Sequence, residues 1–147
     1  MNEIETDYLV IGAGASAMAF VDTLIAGSDA DIVMVERRHQ PGGHWNDAYP
    51  FVRIHHCSAN YGCNSTMLGT NAINATGPDA GMYERANSVE VCAYFQRVLE
   101  TVLLASGQVR LFEMYNYVAI FIRERSLCRH YYRSSHQWLT EKDGKVT

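Results

Sequence analysis

The chain has 147 residues, 48% hydrophobic and 19% charged, with a formal net charge of -4. That is enough apolar material for one domain with a real core, too little for two, and it excludes disorder as the main state. Apolar runs such as Val118 to Ile122 fall far short of the ~20 residues a membrane-spanning helix needs, so no membrane partner is expected.

The N-terminus carries Glu3, Glu5 and Asp7 where a signal peptide would carry positive charge, which points to a cytoplasmic address. Cys57, Cys63, Cys92 and Cys128 form no C-x-x-C pair, so reduced thiols are expected rather than a disulfide framework. Charge divides unevenly: residues 1–122 hold 6 Lys/Arg against 13 Asp/Glu, and residues 123–147 hold 6 against 3. An acidic body argues against a nucleic-acid partner, and the basic end reads as an atypical, solvated tail.

Tyr8 to Ile11 is a short apolar run ending at Gly12, the pattern of a strand in a parallel sheet. Ala17, Phe20, Val21, Leu24 and Ile25 then recur at helical spacing over Ser16–Ile25, and Gly27 stops the helix. Ile32 to Val35 is a second buried run, so residues 7–36 have the size and order of one βαβ unit. A doubly wound, Rossmann-like α/β fold follows. Residues 37–87 hold most of the glycines and all three prolines without a sustained period, a long excursion of the kind that usually serves function. Ser88 is the expected cap of a helix running to Ala105, with Cys92, Phe95, Leu99, Val102 and Leu103 on its inner face and Gly107 beyond its end. Val109–Phe112 reads as a third parallel strand and Val118–Ile122 as the start of a hairpin.

The turn Gly12-Ala13-Gly14-Ala15-Ser16-Ala17 joins the first strand to the first helix, and each small residue in it has a steric task. Gly12 permits the tight turn, Gly14 lets the backbone approach a pyrophosphate, and Ala17 lets helix and strand pack closely. Glu36 ends the second strand 19 residues after Ala17, where a carboxylate accepts hydrogen bonds from the ribose hydroxyls of an adenosine. An acid there disfavours a 2'-phosphate; the following Arg37 either lines the adenine or faces water.

Past the acid, Gly42-Gly43-His44-Trp45 and then Tyr49-Pro50-Phe51-Val52-Arg53 give the chain a further resemblance. Over roughly residues 6–115 it resembles the N-terminal FAD-binding part of flavin-containing and Baeyer-Villiger monooxygenases. The resemblance implies FAD as cofactor, held by Gly12, Gly14, Ala15, Ser16, Ala17, Glu36, Arg37, Gly43, His44 and Trp45, with Arg53 meeting a phosphate or carboxylate. Two departures stand out. His55 occupies the place where Baeyer-Villiger enzymes carry an acid, against ketone oxygenation, and Asn74-Ala75-Thr76-Gly77 comes too early to be the family's Ala-Thr-Gly signature.

Rival chemistries fit less well. Cys57 and Cys63 lie too late and too far apart for the redox pair of a disulfide reductase, and adjacent His55 and His56 do not converge on one zinc ion with them, so no metal is expected. No second Gly-rich turn follows, and NADPH is expected only in a complete family member. Residues 1–122 therefore read as a partial FAD/NAD(P)-binding domain, the front of a flavin-dependent oxidoreductase acting on a small molecule; the alternative is a non-enzymatic nucleotide-binding fragment. The incomplete sheet leads us to expect an open edge and self-association through it.

Overall fold

The computed structural model of the protein describes residues 4–124 and 127–134, with side chains through residue 117. Its centre is a parallel three-stranded sheet of β1 (Tyr8–Ile11), β2 (Ile32–Glu36) and β3 (Val109–Glu113), in the order β1-β2-β3. Tyr8 is opposite Ile32 and Ile32 opposite Val109, so all three strands end at one edge, with Glu36 beside Glu113. β2 is buried at all five residues, because it is paired on both sides and apolar on both faces. β1 has an equally apolar sequence and, among the described residues, one partner strand, and its Tyr8 and Ile11 are exposed.

Helix α1 (Ala15–Gly27) links β1 to β2, and α2 (Ser88–Val98) precedes β3. The expected inner face of α1 is only partly the observed one. Met18 and Val21 are fully buried, whereas Phe20 stands half in solvent and edge-on to Tyr8. The cap of α2 also differs from expectation: Asn87, not Ser88, occupies it. The Asn87 side chain accepts the Glu90 N–H at 3.0 Å, and the Glu90 carboxylate accepts the Asn87 N–H at 2.8 Å, a reciprocal capping box. Both residue types cap well; the Glu three positions on decides between them. The buried stripe runs through Val91, Tyr94, Phe95, Val98, Leu99 and Leu103, leaving Cys92 and Val102 at its margin. A wide turn over Leu99–Leu103 and a tight one over Leu104–Ser106 carry the helix to Gly107, whose φ of 75° reverses the chain.

The core forms where Met18 and Val21 of α1, Ile32 and Met34 of β2, and the stripe of α2 meet in one apolar cluster. The excursion of 37–87 is pinned to both helices. The Tyr94 hydroxyl accepts the Cys63 N–H and donates to the Thr66 carbonyl, each at 2.7 Å, while the buried Asp22 of α1 accepts the Ser65 N–H at 3.0 Å. Gly62 makes the first of these contacts reachable: its φ is 111°, and a Cβ there would lie 2.4 Å from the Tyr94 oxygen.

After β3 the chain enters a hairpin of β4 (Tyr115–Glu124) and β5 (Leu127–Ser134). The hairpin starts earlier than Val118, and β5 falls within the stretch read as a tail; residues 135–147 lie outside the described residues. No helix among the described residues is long and apolar enough to cross a membrane.

Candidate dinucleotide-binding site

The site forms at the edge where the three parallel strands end, and the turn after β1 is its floor. Gly12 takes φ 95°, a conformation that a side chain would strain, and its N–H bonds the Val35 carbonyl at 2.7 Å. The turn thereby folds back over the end of β2. Ala13 follows, fully buried, and its N–H donates to Glu36 Oε2 at 2.6 Å. Glu36 Oε1 accepts the Arg38 N–H at 2.9 Å, so a carboxylate only 3% exposed is fastened on both sides by backbone donors. Each carboxylate oxygen can accept two hydrogen bonds and takes one from the backbone here, which leaves acceptor capacity on both.

Gly14 caps α1 without a side-chain hydrogen bond, and no acid stands in the helix's first turn. The contrast with α2 is informative. Its N-terminus is closed by Asn87 and Glu90, whereas the first-turn N–H groups of Ala15, Ser16 and Ala17 have no capping side chain and keep the positive end of the helix dipole uncompensated. That arrangement suits an anion. The Gly42-Gly43 loop then docks on the turn: the Gly42 N–H bonds the Ala13 carbonyl at 2.8 Å, and a Cβ on Gly43 would stand 3.0 Å from Gly14 Cα. Gly14 and Gly43 meet backbone against backbone, and a side chain on Gly43 would force the two apart.

These pieces line an open cavity of about 430 Å3. Of the residues expected from sequence, it is lined by Gly12, Gly14, Glu36, Arg37, Gly43 and His44. Ala15 and Ala17 instead pack against the core from the first turn of α1. Trp45 lies behind the cavity, buried, with its indole N–H donated to the Tyr61 hydroxyl at 2.7 Å and the His44 ring centred 5.2 Å away. Arg53 is elsewhere, donating to the Arg85 carbonyl at 2.8 Å and lining a different cavity.

Sequence reasoning missed Arg38, Tyr115, Asn116 and Tyr117, which complete the wall. A signal for the last three existed: once Val109–Phe112 is read as parallel to β2, the residues after it must emerge beside Glu36. Glu113, opposite Glu36 in register, has its carboxyl pushed up, chiefly by burial and further by the Glu36 charge, while His39 pulls it down. Cys57 and Cys63 are free thiols, and among the described residues no group of three or more His, Cys, Asp or Glu could hold a metal ion.

No protein-family model matches the sequence. Over 115 residues the chain is 56% identical to Uncharacterized protein Rv2000 of Mycobacterium tuberculosis and to Uncharacterized protein Mb2023 of Mycobacterium bovis, matches that cover 78% of this chain and 21% of each relative. The match thus spans about a fifth of the length of these curated relatives.

Solved structures with a similar fold include a mutant flavin monooxygenase from Stenotrophomonas maltophilia, with TM-score 0.67 and 16% identity over 87% of this chain and 33% of that one. A flavin-containing monooxygenase from the same organism gives 0.62 and 18% over 87% and 34%. THI4 of Thermovibrio ammonificans gives 0.50 and 21% over 85% and 45%. With the parallel sheet and its Gly-rich turn, these likenesses define the class: a Rossmann-like α/β fold.

Proposed function

We propose that this chain binds FAD by its ADP half, with the adenosine ribose on Glu36 and the pyrophosphate over Gly12, Gly14 and the open N-terminus of α1. The observation that carries the reading is the pairing of a buried carboxylate at the end of β2 with an uncapped helix start beside it. One accepts hydroxyl donors, the other receives an anion, and a dinucleotide presents both. Arg37, Tyr115, Asn116 and Tyr117 form the adenine side of the same cavity, and His44 stands toward the rest of the cofactor, steadied by Trp45 behind it.

In this reading the segment is the FAD-binding front of a flavin-dependent, monooxygenase-like oxidoreductase. The flavin, when bound, supplies the acceptor for reducing equivalents. The chain's own residues bind and orient: Glu36 fixes the ribose and the Ala15, Ser16 and Ala17 N–H groups hold the phosphates, while Arg53 lines the other cavity. By the same reading, NADPH is a cofactor only of a complete family member.

Calorimetric titration tests the proposal. FAD and ADP are expected to bind the parent chain, and Glu36→Ala should weaken both by about tenfold or more, the loss expected for removing a charged hydrogen-bond acceptor. Equal binding of FAD or ADP by Glu36→Ala and the parent chain refutes the assignment. Glu36→Gln, which keeps the side-chain volume and one acceptor oxygen, guards against a simple loss of folding.

A further inference from the structure

A second cavity, of about 580 Å3, lies between the excursion and α2 and shares no lining residue with the first. Three arginines (Arg53, Arg85, Arg97) and three acids (Asp79, Glu84, Glu90) line it, which at first sight cancel. The carboxylates keep their charge, but each is anchored by donors of its own, whereas two of the arginines are paired with no acid among the described residues. Asp79 holds Arg85 at 2.6 Å. Glu84 accepts the Thr70 and Asn71 N–H groups, and those bonds, the Thr70 one foremost, hold its carboxyl below the usual range. Glu90 is closed into the capping box by the Asn87 N–H.

The cations are less occupied. Arg53 gives one Nη–H to the Arg85 carbonyl, and Arg97 lies against the Tyr94 ring, 5.8 Å from its centroid. Among the described residues neither has a carboxylate at salt-bridge distance. Glu100, one turn beyond Arg97, instead accepts Gln96 at 2.7 Å. Arg85 itself carries a buried Nε–H with no acceptor. A guanidinium presents five donors in a planar fork matched to carboxylate and phosphate oxygens, and in a concave site it pairs more strongly than on an open surface.

We infer that this cavity is a binding site for a compact organic oxyanion, a carboxylate or a phosphate ester, gripped by Arg53 and Arg97 against a wall fixed by the Arg85–Asp79 pair. The inference is independent of the dinucleotide reading, since the two cavities have separate linings.

The test titrates the full chain at low ionic strength with inorganic phosphate and, separately, with succinate. Saturable binding of either is expected, and the tighter of the two identifies the source of the oxyanion. Arg97→Gln and Arg53→Gln should each weaken that probe by about tenfold, the value of one charge-assisted hydrogen bond, and Arg97→Lys should recover part of the loss. Arg97 is exposed, so its variants should melt with the parent chain, and FAD titration should be unchanged in them. Failure of both probes to saturate below about 10 mM, or equal binding by the parent chain and both glutamine variants, overturns the inference.

Discussion

Gly14→Ala separates a structural glycine from a functional one. Gly14 has φ -81° and ψ 178°, a conformation any residue adopts, and an ideal Cβ on it would meet Gly43 Cα at 3.6 Å, an ordinary contact. The methyl group therefore costs the fold little. Reduced freedom of the unfolded chain stabilises by about 0.4–1 kcal/mol, and exchanging Gly for Ala at a helix cap costs a similar amount. The melting temperature should stay within about 3 °C of the parent value. Binding should behave differently, because the methyl stands where the backbone would approach a pyrophosphate. Displacing the phosphates from two N–H groups removes charge-assisted hydrogen bonds worth about 1.5–3 kcal/mol each, so the Kd for FAD should rise about 100-fold or more. Calorimetry with FAD and ADP, beside a thermal melt, reads both effects. Gly43→Ala is the contrasting variant: with φ 57° and a Cβ 3.0 Å from Gly14 Cα, it should lose stability as well as binding. FAD binding by Gly14→Ala within about threefold of the parent chain would refute the role given to this turn.

Gly62→Ala should destabilise by about 3 kcal/mol or more in urea, since it combines a strained φ with a clash against the Tyr94 oxygen; a loss under about 1 kcal/mol would show that the excursion is not pinned there. The alkaline limb should be steep. Burial, with the Asp22 charge adding, pushes the Cys63 thiol from 9.0 to about 11, and burial chiefly pushes the Tyr94 hydroxyl from 10.0 to about 12. Both are raised acids, so the stability they contribute is complete below their unfolded values and is lost as pH rises from about 9 to 12. Cys63→Ala should flatten the lower part of that loss in pH-dependent urea melts, and an unchanged profile would count against it. The edge of β1, which has no second partner strand among the described residues, should drive concentration-dependent association in sedimentation runs, and a monomer at all concentrations would show that the edge is covered.

The βαβ unit was legible because apolar periodicity and turn chemistry agree there. Tyr8–Ile11, Gly12 and Ile32–Val35 each have one reading, and the third parallel strand follows from the same pattern. What escaped depends on tertiary packing. The exposure of Phe20 depends on which face of α1 the excursion covers, and no local period records that. Trp45 sits in a motif that invites a cofactor contact, yet its N–H is taken by Tyr61, a partner 16 residues away. Arg53 stands in a motif too, but the chain between Trp45 and Arg53 carries it to the other cavity. Residues within a few positions of a strand end were placed by the strand; residues in the excursion were placed by hydrogen bonds that only the fold reveals.

The two helix starts make the physical case for a ligand at the first cavity more directly than any motif does. Both helices leave backbone donors without intrahelical partners. At α2 the sequence spends Asn87 and Glu90 on closing them, although this start stands beside a cavity lined with arginines. At α1 it places Gly14, Ala15, Ser16 and Ala17, residues that add no carboxylate and minimal bulk, next to a glutamate whose own carboxylate is already anchored. A Ser or Asp at position 14 would close one of those donors and stabilise α1 by about a few tenths of a kcal/mol over its present glycine cap. Forgoing that stabilisation at one helix while taking it at the other is expected when the donors of α1 serve an external anion, and it is why calorimetry on Gly14 variants discriminates more sharply than any change in the core.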